Sequence, residues 1–427
     1  MNNRILSLIT ALVLTLCAFA TSINTDRQWY LAGEAMKVDI SIDNALIAYA
    51  ELCDINSLAA GVVISLNEGK GTGTIELPSN LHSGYYVLSV YTRDKANVSN
   101  KLVAIINTLH KSKDDDIEWV LCDSTRLASE QGSSSRATCV GAAELVNKKN
   151  IDVRETEGHI IKARIKNVYG GECFNGSQIR PALSIVGKQI HYFEGKMIND
   201  SIAEFFTYAI HGKQPLVLSA ESSTGVSLPI EMISPFETLL PKKLPHLVFN
   251  YNRSEVETRS LDMQRHQIAI APAKHELQLG EIEDATAEDG VPLDYNETVF
   301  GTKPELSYNL DEYRQFLTIR EVILEYVLCV SKRKINGVPR LIVRKEDAHY
   351  DSTWPTLVLI DGMPVIDIER LLNYDARRIH YINIYGDQFI FGNGVYNGIL
   401  SFITRSGRLT NYPTEPNMQY LVYEFPK

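Results

Sequence analysis

The residues able to do chemistry in this sequence are scattered rather than grouped. Ten histidines occur, none at the spacing of a metal site. No His-Glu-x-x-His, Gly-x-Ser-x-Gly, phosphate-loop or Cys-x-x-Cys run is present. The carboxylate pairs Glu283-Asp284 and Glu288-Asp289 fall in an acidic stretch poor in large apolar groups, where solvent screens them and no apolar wall raises a pKa. Asp114-Asp115-Asp116 lacks the alternating ligands and sharp turn of a calcium loop and reads as a solvated segment. Gly392, Gly394 and Gly398 are spaced G-x-G-x-x-x-G, but an alternating run follows them, so a strand rather than a phosphate-binding helix N-terminus is expected there. These residue types predict no enzyme, no metal and no cofactor; an active site assembled from distant residues would leave no local trace.

Cysteine usage is equally sparse. Past residue 20 the thiols are Cys53, Cys122, Cys139, Cys173 and Cys329, an odd and widely spaced set. Cys122 and Cys139 flank a polar stretch and are the pair that an oxidising compartment could bridge, whereas Cys53 and Cys329 lie in apolar runs and read as core residues.

The elements that must position such residues begin with an export signal. Arg4 precedes an apolar run from Ile5 to Phe19, with Ala18 and Ala20 placed for signal-peptide cleavage before Thr21, so residues 1–20 are expected to be removed. Cys17 is preceded by Leu16 rather than a small residue, which makes lipid modification the weaker alternative. No later segment is apolar enough to span a membrane as a helix. The net charge of -10, with no basic stripe, argues against nucleic acid as a partner.

Length predicts several domains, and the pattern predicts a mostly β chain. Period-two runs such as Lys37–Ile42 and Tyr85–Tyr91, with turns about every ten residues, give an antiparallel β-sandwich over residues 21–110. Residues 111–157 read as a linker or irregular insertion. A second β-sandwich follows over 158–245, and then a linker with the acidic stretch over 246–310. From Asp311 the apolar residues Tyr313, Phe316, Ile319, Ile323, Tyr326 and Val327 recur at threes and fours, predicting a helix of about four turns. Strand-like runs after it make 311–427 an α+β domain.

Two resemblances refine this reading. Asp26-Arg27, Tyr30 and Gly33-Glu34, with Ala48–Leu52 and Ser83-Gly84-Tyr85-Tyr86 behind them, resemble the opening of macroglobulin-type β-sandwich domains. The family's thioester run is missing: Gly170-Gly171-Glu172-Cys173 has similar letters in the wrong order. The second resemblance covers about 355–407. Pro355–Ile360 with Asp361-Gly362 and Pro364, Ile379–Ile384, and Gly392-x-Gly394 through Gly398 to Thr404 resemble the plug domain of TonB-dependent outer-membrane receptors. Only 20 residues follow Gly407, too few for a receptor barrel. The resemblances imply an exported, non-enzymatic protein, periplasmic or associated with the outer membrane of a Gram-negative cell. Its plug-like domain would dock to an outer-membrane protein such as a β-barrel, as a transport or assembly accessory. The alternative is a free-standing surface or periplasmic module that binds a glycan or protein through sandwich loops.

Overall fold

A computed structural model describes residues 22–94, 98–122, 134–145, 155–187, 190–276, 300–335, 337–344, 354–392, 394–407, 409, 412 and 415–426. The signal segment and the acidic stretch around 280–290 lie outside the described residues. The described residues are mostly in strands, with helix a small share. It divides into two compact units: the described residues within Met1–His159, Phe236–Lys274 and Glu424–Lys427, and those within Ile160–Pro235 and His275–Tyr423.

The first unit contains the expected N-terminal sandwich. Ala35–Ser41 buries Met36, Val38 and Ile40 and turns Lys37 outward, so the alternation in sequence becomes one buried face. This strand lies between Ser22–Thr25 and Lys70–Glu76 in an antiparallel three-stranded sheet. The facing sheet has five strands, ordered Trp29–Leu31, Val98–Ile106, Gly84–Tyr91, Ile47–Cys53 and Leu58–Ser65. Its first pair is parallel and the others are antiparallel. Tyr30, Leu52, Tyr86 and Val103 meet Met36, Val38 and Ile75 in one core.

The stretches 111–157 and 246–310, expected as linkers, both contribute regular structure to this unit. Ile117–Leu121 and Arg136–Val140 flank His246–Tyr251 in a three-stranded sheet, and Arg253–Glu276 is a 24-residue helix. Leu247, Phe249 and Val256 close a second core with Trp29, Leu31 and Ile106. Each strand of this sheet is only five or six residues long and pairs with a segment more than 100 residues away, so no local pattern announces the sheet.

The second unit merges the expected second sandwich with the C-terminal segment. One four-stranded sheet is ordered Lys196–Met197, Ile202–Thr207, His159–Ile165, Ile230–Ile233, and another is ordered His191–Glu194, Ile179–Ile185, Gly212–Ser222, Gln419–Phe425. The last strand of the chain thus completes a sheet begun more than 200 residues earlier. A five-stranded mixed sheet follows, ordered Leu306–Asn309, Ile379–Phe391, Gly394–Thr404, Leu357–Ile360, Met363–Pro364. Val186 and Val217 share a core with Ile319, Leu341, Ile360 and Phe402, so 158–245 and 311–427 are not separate domains.

The helix expected from Asp311 is also shorter. Leu310–Glu312 forms one 3-10 turn, the chain extends at Tyr313, and an α-helix runs only over Ile319–Glu325. Thr318 restarts the helix with a capping box to Glu321. Tyr313 and Phe316 then reach Tyr326 through ring contacts of 4.6 and 5.5 Å between centroids. Aromatic packing around a bend accounts for Tyr313 and Phe316 in that spacing, and the buried face of the short helix for Ile319 and Ile323.

Candidate functional site

The residues singled out at the N-terminus form one network. The Tyr30 hydroxyl donates to Asp26 Oδ1 at 2.6 Å and receives the Arg27 backbone N–H at 3.0 Å. Glu34 is 8% exposed, and its carboxylate accepts from Arg27 at 3.2 Å and from the Leu31 backbone N–H at 2.8 Å. Arg259, on the long helix, donates to both Glu34 oxygens at 3.0 and 2.5 Å. Gly33 has φ +95°, a conformation that favours glycine, and it lies against the helix, where an added Cβ would meet the Met263 sulfur at 2.8 Å. These residues pin the helix to the sandwich.

The C-terminal motif residues also hold structure. Asp361 is fully buried with φ 47°, and its carboxylate accepts from Thr404 N (2.8 Å), Thr404 Oγ1 (2.5 Å) and Leu409 N (2.8 Å). Burial pushes this carboxyl up, while the three donors oppose the shift. Gly362, at φ +90°, packs against Ile190, and Pro364 pairs with Leu359. Gly398, at φ +81°, faces the register shift between Tyr385 and Gln388 in the facing strand.

Cys122 and Cys139 are free thiols. Their strands lie on opposite sides of His246–Tyr251: Cys122 N–H donates to Tyr251, whereas Cys139 is opposite Leu247. Two strand spacings of about 4.8 Å, plus the offset along the strand, exceed the reach of a disulfide.

A site that the sequence does not announce lies in the second unit. A groove of about 750 Å³ runs beside Asn175–Ile179 and Glu194–Asp200, with Trp354, Pro355, Gly394 and Val395 on its other wall. Arg180 and Glu194 supply charge to its lining. Glu194 accepts from the Tyr396 hydroxyl at 2.5 Å, and Tyr396 lies 2.9 Å from the Tyr192 hydroxyl. Burial pushes the Glu194 carboxyl up, the Tyr396 hydrogen bond opposing it, and burial likewise raises both phenols. Arg180 donates to Glu221 at 3.2 Å, and Glu221 also takes Arg340. Gly394 explains part of the glycine motif: a Cβ there would fall 1.8 Å from Glu194 Oε2, and one on Gly392 would fall 3.0 Å from the Glu194 carbonyl. The signals in sequence were single residues, chiefly Trp354 before an apolar strand, whose meaning depends on a wall contributed from 160 residues away.

No protein-family model matches the chain, and no curated protein matches it. Among solved structures it is similar to the BSP domain of a biofilm-associated protein, at 8% identity over 54% of this chain and 29% of that one, with a TM-score of 0.18. An Escherichia coli alpha-2-macroglobulin activated by porcine elastase gives 12% identity over 50% of this chain and 20% of that one, at 0.19. The titin Ig tandem domains A164-A165 give 9% over 50% and 95%, at 0.16. The chain spans less than a third of the biofilm and macroglobulin chains it matches. At these TM-scores the likeness assigns it no family and no partner.

Proposed function

We propose that this chain is an exported, non-enzymatic interaction protein of a Gram-negative outer envelope. In this reading its N-terminal macroglobulin-type sandwich serves as a spacer or binding arm, and its plug-like C-terminal segment docks to an outer-membrane protein. The signal-like N-terminus supports export. The observation that carries docking is apolar exposure beside the short helix Ile319–Glu325. The helix commits Ile319, Val322 and Ile323 to the core, yet Leu317, Leu324 and Leu328 remain 65, 68 and 66% exposed. Three large apolar side chains left in water within twelve residues of sequence are what supports a contact surface here.

The test is recovery of an outer-membrane protein from Gram-negative envelope extracts by the full chain and by a Leu324→Glu, Leu328→Glu variant. Burial of a leucine is worth about 1.5–3 kcal/mol, so recovery should fall at least about tenfold in the variant. Equal recovery by both chains, or none by either, overturns the reading.

A further inference from the structure

We propose that the groove walled by Trp354 binds a neutral oligosaccharide, with the indole as its stacking face. Trp354 is 41% exposed at the groove, a position that leaves its ring open to a ligand. A sugar ring offers a C–H face to an aromatic plane and hydroxyls to planar polar groups around it. Asn175 and Asn199 supply such groups. Asn175 Oδ1 accepts from Ser177 at 2.6 Å and Asn199 Oδ1 from Ser201 N and Ile202 N at 2.9 Å, leaving each amide NH2 without a protein partner among the described residues. The volume of about 750 Å³ lies within the roughly 300–1,000 Å³ of small-ligand sites.

Charge selects a neutral ligand. Arg180 and Lys196 are balanced in the lining by Glu194 and Asp200. Arg180 is already committed to Glu221, and Asp200 accepts from Gly176 N at 2.8 Å. A charged floor of Arg180 and Glu194 disfavours a lipid tail. An extended peptide would need a strand edge, and the two here, His191–Glu194 and Lys196–Met197, give the lining only Glu194, Lys196 and Met197. This inference is independent of docking at Leu324.

The test is indole NMR on the full chain, which has three tryptophans, titrated separately with maltohexaose, chitotetraose, polygalacturonate and an unstructured peptide. The expected result is saturable movement of the Trp354 resonance by at least one of the two neutral glycans, with a Kd on the order of 1 mM. The Trp354→Ala chain should bind at least about tenfold more weakly, judged by glycan line broadening, and Trp354→Phe should retain part of the affinity. Unmoved methyl resonances of Ile360 and Leu400, in the core of the second unit, report an intact fold in both variants. No saturable response to either neutral glycan overturns the proposal. So does response to polygalacturonate or the peptide alone, or full affinity in Trp354→Ala.

Discussion

Arg259 lies over Trp29, its guanidinium carbon 3.6 Å from the indole centroid. The same guanidinium spans both oxygens of Glu34, so stacking and a two-pronged ion pair converge on one side chain. The helix Arg253–Glu276 is held to the sandwich at this point.

Removing that side chain should be costly. With Glu34 8% exposed, Arg259→Ala leaves its carboxylate with Arg27 and the Leu31 N–H alone. A loss of about 2–4 kcal/mol is expected in denaturant unfolding followed by Trp29 fluorescence. Arg259→Lys should recover less than half of it, because an ammonium cannot fork across two oxygens. A midpoint unchanged in Arg259→Ala would refute the pinning role.

Asp361 makes a different demand. Its positive φ tolerates asparagine, but an amide nitrogen cannot accept the donors that Thr404 and Leu409 present. Asp361→Asn should destabilise the second unit by about 1–3 kcal/mol, and Thr404→Val should cost a similar amount with strong non-additivity in the double variant. Additive losses would show that the two do not act as one contact.

Glu415 gives the second unit a pH dependence. Burial pushes its carboxyl from 4.5 up to about 7, although it accepts the Asp367 N–H at 3.3 Å. The folded chain therefore holds this proton more tightly than the unfolded chain. The stabilisation is full below pH 4.5 and is lost as pH rises through about 7. Between about pH 5 and pH 8 this group should lower stability by on the order of 2–3 kcal/mol, a slope that Glu415→Gln removes. The same slope in the variant would exclude Glu415 as its source.

The unbridged thiols predict indifference to reductant. The thermal midpoint of the purified chain should shift by less than about 1 °C on adding dithiothreitol, and Cys122→Ser, Cys139→Ser should leave it unchanged. A drop of several degrees would require the bridge that the strand order forbids.

What was legible in the sequence was local. The alternation in Ala35–Ser41 and His159–Ile165 gave their strands, because one face of each is buried. Asp26, Arg27, Tyr30 and Glu34 were legible as a motif, but not their partner Arg259, since an ion pair spanning 225 positions leaves no spacing to read. The domain limits failed for the same reason: Gln419–Phe425 joins a sheet whose other strands lie near residues 179–222. The groove was out of reach because its two walls come from distant segments, and only the fold makes neighbours of Glu194 and Gly394.

Docking through the surface around Leu324 is tested most directly by site-specific photocrosslinking in intact Gram-negative cells. A photoreactive residue at position 324 of the full chain should yield an adduct with an outer-membrane protein, while the same residue at exposed position 37 on the sandwich should not. No adduct from position 324, or the same adduct in equal yield from both positions, would contradict it.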